Sequence, residues 1–157
     1  SASVTLDGAP VAFSDPVRAG FDPAAIATPA APSTPAVDAG DVEVPLIRLA
    51  WARSGDKGRL FNVAAIARRP DYLPWIRASL GAGAVADWYR HLFDDPATGR
   101  VDRYDVPGCH ALNFVVHDAQ GGGINLSPRF DAAAKSMGQH LLEMPVRIPA
   151  DLARTLD

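Results

Sequence analysis

Two pairs of strand-like runs, each pair closed by a short polar segment and the pairs separated by helical periods, constrain this chain more than any other feature. VEVPLIRLAWAR (Val42 to Arg53) sets Leu46 and Arg48 against Ile47, Leu49 and Trp51, which predicts a strand with one buried face. Pro45 puts that strand at an edge or places the residue in its first turn. LFNVAAIAR (Leu60 to Arg68) is mostly apolar and predicts a second, more buried strand. RVDRYDVP (Arg100 to Pro107) and ALNFVVHDA (Ala111 to Ala119) form the second pair, the latter with Leu112, Phe114 and Val116 on one side. Between the pairs, Asp71 is placed to cap a short helix over DYLPWIRASL, with Pro74 in its tolerated first turn. Val85, Trp88, Tyr89, Leu92 and Phe93 make the apolar stripe of a second helix, ended by Asp94-Asp95-Pro96. A third helix is expected from Asp131 to about Met144, with Phe130, Ala134, Met137 and Leu141 inward. Pro145 and Pro149 stop it, and the C-terminus trails off.

The resulting order, β-β-α-α-β-β-α, lacks the strict alternation of a parallel βαβ sheet. It predicts an α+β two-layer sandwich, an antiparallel or mixed sheet with helices packed on one face. Ferredoxin-like topology is the nearest common plan. The compact domain is expected over residues 42–150, with a tail at 151–157. Residues 1–41 read differently: they hold Pro10, Pro16, Pro23, Pro29, Pro32 and Pro35, many alanines, and only Phe13 and Phe21 as aromatics. TPAAPSTPAV (Thr28 to Val37) has no helical or strand period and cannot bury enough to repay its ordering entropy, so 1–41 is expected to be a linker or arm. Ahead of it, Asp7-Gly8 between β-formers signals a short hairpin.

The 157 residues are about half apolar, enough for one domain with a core. A net charge of −3 implies no basic face and argues against nucleic acid. The single cysteine, Cys109, excludes an internal disulfide and fits a reducing compartment. No apolar run approaches the roughly 20 residues of a bilayer span, and no basic-then-apolar leader pattern opens the chain. A cytoplasmic protein without membrane contact is the expectation.

Between Arg53 and Leu60 lies SGDKG, read as a polar turn longer than a hairpin requires. Gly55 and Gly58 permit positive φ, so backbone N–H groups can cradle an anion. Lys57 adds a point charge; it and Lys135 are the only lysines beside 13 arginines. Asp56 can hold Lys57, act as a base or make an Asx-turn. Ser54 lacks a G-x-S-x-G context, and the spacing is not that of a P-loop. An ordinary polar hairpin turn accounts for the same residues.

The second patch is GCHALNFVVHDAQGGGIN, Gly108 to Asn125. Period two puts Asn113 and His117 on one side, and His110 with Leu112, Phe114, Val116 and Asp118 on the other. His110 is therefore expected buried or at a rim, as a core residue or as a catalyst. Gly121, Gly122 and Gly123 let a ligand approach the backbone, or form only a flexible loop. No cluster has metal-ligand spacing, so no metal site is expected. Cys109 reads as a buried or incidental thiol.

ARSGDKG (Ala52 to Gly58) with Asn62, RRPDYLPWIRASL (Arg68 to Leu80) and YDVPGCHALNFVVHDAQGGG (Tyr104 to Gly123), in that order, resemble the small ferredoxin-fold domain of the AtuA-like family, the acyclic terpene utilisation proteins. The resemblance spans roughly Val44 to Pro149. It implies a bacterial catabolic setting and acyl-CoA thioesters of branched or terpenoid acids, with CoA entering as part of the substrate and no separate cofactor required. The family commonly fuses this domain behind a much larger N-terminal one. The chain is thus expected to be a small subunit or fragment that meets a large AtuA-like chain, self-associates, or both. Arg59 stands where a smaller polar residue is expected. Two readings follow. In one, an enzyme subunit, Asp56, Lys57 and His110 are catalytic in hydratase or lyase chemistry. Ser54, Gly55, Gly58, Asn62, Asn113 and Gly121 to Gly123 bind the ligand, all meeting at one end of the sheet. In the other, the same loops stabilise or complete a site owned by the larger chain.

Overall fold

In the computed structural model, which describes residues 3–12, 22–26, 37–38 and 40–156, the two pairs of long strands merge into one antiparallel sheet. The chain divides into two compact units, Ser1–Ala30 and Ala31–Asp157. In the first, strands β1 (Val4–Leu6) and β2 (Ala9–Val11) form the expected hairpin. Asp7 and Gly8 both take positive φ, 50° and 77°, as a type I′ turn requires. Every residue of both strands is exposed, so the hairpin brings no core of its own. Of the 1–41 segment expected to be a linker or arm, residues 1–2, 13–21, 27–36 and 39 lie outside the described residues.

The second unit carries the core. Its strands are β3 (Val42–Pro45), β4 (Ala50–Lys57), β5 (Leu60–Ala67), β6 (Val101–Val106), β7 (Ala111–Val116) and β8 (Pro145–Ile148). Its helices are α1 (Leu73–Ser79), α2 (Ala82–Trp88), α3 (Met137–Leu142) and α4 (Ala150–Ala153). The main sheet has the order β4-β5-β7-β6, with every neighbour antiparallel. Strands β5 and β6 therefore run the same way with β7 inserted between them, and α1 and α2 make the crossover. That split β-α-β unit is the core of a ferredoxin-like plan. The place beside β5 is filled from the N-terminal side, by β4 through a hairpin. The α+β architecture with helices on one face is as the element order predicts.

The helix-facing side of the sheet holds Phe61, Val63, Ala65, Leu112, Phe114 and Val116, packed with Ile76, Leu80, Val85, Tyr89 and Leu141 in one cluster. Alternate residues face the other way. Trp51 and Tyr104 are about half exposed there, and among the described residues no helix covers that face. Burying a Phe or Leu side chain contributes about 1.5–3 kcal/mol, so the covered face dominates the stability.

Several local expectations need correction. Val42 to Arg53 is not one strand. It breaks into β3, a 3-10 turn over Leu46–Arg48, and β4, so Leu46 and Leu49, three apart, are both buried while Ile47 and Trp51 are exposed. Asp71 makes no cap bond; its carboxylate pairs with Arg69 at 2.8 Å. Helix α3 is shorter than expected, because residues 131–136 are irregular and Ala134 has a φ of 52°. Phe130 is fully exposed rather than inward. After Pro145 the chain does not trail off: β8 pairs with β3, Val44 against Val146, and Val146 and Ile148 are completely buried.

Candidate functional site

The polar stretch that reads as a long turn is strand up to its last residues. Strand β4 continues through Lys57, with Ser54 opposite Val63, Gly55 opposite Asn62, Asp56 opposite Phe61 and Lys57 opposite Leu60. Only Gly58 and Arg59 form the hairpin turn. Gly58 has a φ of 73° and Arg59 has no positive φ, the pattern of a type II′ turn. Gly55 does not use its freedom for positive φ, so the glycines do not build a cradle of N–H groups.

Alternation along β4 then sorts the candidates. Ser54 and Asp56 face the helices with Val63 and Phe61. Gly55 and Lys57 face the uncovered side with Asn62 and Leu60. Ser54 is 8% exposed and ties β4 to α3: its Oγ accepts the Gly138 N–H at 2.8 Å and donates to the Lys135 carbonyl at 3.4 Å. The Asp56 N–H donates to the Ala133 carbonyl at 3.0 Å, so the 131–136 segment borders the free edge of β4. The Asp131 carboxylate holds that segment in shape, accepting from the Lys135 and Ser136 N–H groups at 2.8 Å each and from Ser136 Oγ at 2.6 Å. Partial burial works to raise its pKa, yet these hydrogen bonds and the Lys135 charge leave it below the usual carboxylate range.

On the uncovered face the missing side chain of Gly55 lets lysine heads close in over its buried backbone. A Cβ there would lie 2.9 Å from the Lys135 ammonium and 4.0 Å from that of Lys57. The two lysines of the chain thus converge on one point. Among the described residues neither has a carboxylate within ion-pair distance; Lys57 Nζ donates to its neighbour's carbonyl, Asp56 O, at 2.9 Å. Two ammonium groups a few ångströms apart repel by about 1 kcal/mol in water, a cost that a bound anion removes. Beside them on the same face, Asn62 Nδ2 donates to Asn113 Oδ1 at 3.1 Å.

The glycine-rich loop closes on the hairpin turn. Gly121, Gly122 and Gly123 all have positive φ, and a Cβ on Gly123 would stand 3.2 Å from the Gly58 carbonyl oxygen. Arg59 anchors this junction. Its guanidinium meets Asp118 at 3.2 Å and Asp94 at 3.8 Å, and its carbonyl accepts the Ala119 N–H. So Lys57, Gly58, Gly121 to Gly123, Asn62 and Asn113 gather at one region of the sheet.

His110 does not join them. It ends the turn Pro107 to His110 that leads into β7, at the Ala67 end of β5, whereas Lys57 lies at the Leu60 end. The eight residues of β5 span roughly 23 Å between the two ends. His110 is exposed, not buried or at the rim of the apolar face, and has a φ of 49°; Cys109 beside it is exposed too. Another histidine lies on the uncovered face: His117 Nε2 meets Asp102 Oδ2 at 2.9 Å, with Arg100 Nη2 at 3.1 Å. Asp102 pairs with Val115 and Asn113 with Tyr104, so this His–Asp pair shares the lysines' face. Lys135 carries no motif; its signal is its rarity, one of two lysines against 13 arginines, whereas His117 lies within the second patch, where period two puts it on one side with Asn113.

A family model described as the AtuA ferredoxin-like domain matches residues 44–147. The chain belongs to that family. The match begins in β3 and ends in β8, so this AtuA ferredoxin-like domain includes the small β3-β8 ribbon as well as the main sheet. No curated protein and no solved structure matches the chain. Among the described residues, this AtuA ferredoxin-like domain has no helix long and apolar enough to cross a membrane and no group of three metal-ligating side chains.

Proposed function

We propose that this domain holds the anionic part of an acyl-CoA thioester on its uncovered sheet face and completes the site of a larger AtuA-like chain that handles branched or terpenoid acids. The convergence of Lys57 and Lys135 on Gly55 carries the reading: two cations with no carboxylate partner among the described residues, beside two side-chain amides, suit a phosphate or carboxylate. The accessory role is favoured over a catalytic one because the proton-transfer candidates of the SGDKG and GCHALN stretches do not face the lysines. Asp56 faces the helices, and His110 is at the other end of the sheet. A CoA thioester is also large, and pockets for such ligands often lie between domains or subunits.

One observation favours a second reading, a hydratase or lyase subunit. His117, oriented by Asp102, is a proton-transfer pair on the same face as the lysines. The accessory reading predicts that the chain isolated from its native host brings a larger family-type chain in fixed ratio. It also predicts that His117→Gln leaves the turnover of that complex within about twofold. Elution as a homo-oligomer alone contradicts the partner. Loss of turnover with assembly intact favours the catalytic reading.

A further inference from the structure

The loop after the three glycines holds large apolar side chains out of the fold. Ile124 is 49% exposed, Leu126 is 78% exposed, and Phe130 is fully exposed. The backbone that presents them is tied down. The Leu126 and Ser127 N–H groups donate to the Gly123 carbonyl at 3.0 and 2.8 Å, and the Arg129 N–H donates to Ser127 Oγ at 3.2 Å. Arg129 Nη2 donates to the Leu92 carbonyl at 2.7 Å, and on the other side of Phe130 the Asp131 carboxylate accepts from the Lys135 and Ser136 N–H groups. A ring held in water by a fixed backbone, with further exposed apolar side chains in the same loop, marks an interaction surface.

Phe130 borders a hollow of about 240 Å³ shared with Leu92, Ala119 and Met137, whose accessible walls are mostly apolar. Leu92 and Met137 are only half-buried, so they present apolar area as well. An apolar cavity of about 150 Å³ holds benzene, so this one admits a phenyl ring. The domain's own ring does not fill it, since Phe130 is fully exposed. A knob and a hole that accepts it therefore lie side by side, and such a surface is complementary to itself about a two-fold axis. The charges fit the same axis. Arg129 and Asp131 flank Phe130 in sequence and both line the hollow, so a two-fold can set the cation of each copy against the carboxylate of the other.

We infer that two copies of this chain pair about a two-fold axis through this surface, each placing its Phe130 ring in the hollow of the other. A Phe side chain buries about 150–250 Å², well under the roughly 800 Å² per partner of a standard interface, so the dimer is weak and concentration-dependent. The inference stands apart from the anion site, since it needs neither Lys57 nor CoA.

Sedimentation velocity of the full chain from about 10 µM to about 1 mM should show a monomer–dimer equilibrium. Phe130→Ser should weaken the dimer about tenfold or more and leave the unfolding midpoint unchanged, because the ring is fully exposed in the monomer. A benzophenone side chain placed at Phe130, in a mixture of ¹⁴N- and ¹⁵N-labelled chains, should crosslink to Leu92 or Met137 between copies. A monomer at every concentration, a dimer that Phe130→Ser leaves intact, or between-copy crosslinks that land elsewhere overturns the inference. So does a crosslink to a larger chain in place of a second copy when the benzophenone-bearing chain is expressed in its native host.

Discussion

Ser54 in the edge strand and Gly138 in helix α3 are joined by a buried hydrogen bond of 2.8 Å, the serine hydroxyl accepting an N–H that the six-residue helix cannot satisfy itself. Ser136, at the head of that helix, makes no side-chain cap bond to it, so the cap comes from another element. Ser54→Ala leaves a buried donor unpaired and is expected to cost about 1–3 kcal/mol, measured by urea unfolding. Loss below about 0.3 kcal/mol would show that water or a shifted backbone replaces the hydroxyl.

Gly55→Ala separates binding from stability. The residue sits in a strand without positive φ, and the atom its new methyl would meet is the mobile end of Lys135. The substitution should leave the unfolding midpoint unchanged or slightly raised, because alanine loses less backbone entropy than glycine. Anion affinity should fall several-fold as the ammonium is displaced. Unchanged affinity in a folded variant would mean that the lysine heads over Gly55 are not part of the site.

His140 sets a pH dependence. It packs against Trp88, Tyr89 and His91, and burial first, then the His91 charge, lowers its pKa, while Glu143 acts the other way. The unfolded chain then binds the proton more readily than the folded one, so stability is complete above about pH 6.5 and falls as pH drops below it. Asp131, held below the usual range, adds a second loss near and below about pH 4. Urea midpoints should decline from pH 7.5 to 5.5 in the natural sequence and less so in His140→Gln. A midpoint that rises on acidification would contradict this sign.

The element order was legible because periodicity reports which face is buried, and Phe61, Val63, Leu112 and Phe114 obey it. Strand β8 was not, since four residues that open on Pro145 and stop before Pro149 carry too little pattern, and only pairing with β3 defines them. Leu46 and Leu49 misled because a run of alternating residues does not reveal a 3-10 break inside it. At the site, Lys57, Asn62 and Asn113 share a face by parity alone. His110 could not be placed without the sheet order. In the order β4-β5-β7, the start of β7 lies at the start of β4, far from Lys57 at its end. Lys135 arrives from an irregular segment, where no period applies.

The most direct measurement of the lysine site is a calorimetric titration with CoA, and with pantetheine, which lacks its phosphates, at low and physiological salt. The natural sequence should bind CoA and not pantetheine, more weakly as salt rises. Lys57→Met and Lys135→Met should each weaken CoA by about two- to fivefold, the scale of an exposed charge pair, and flatten the salt dependence, while His110→Ala changes neither. CoA binding that survives the double substitution unchanged, or pantetheine binding as tightly as CoA, would contradict the account.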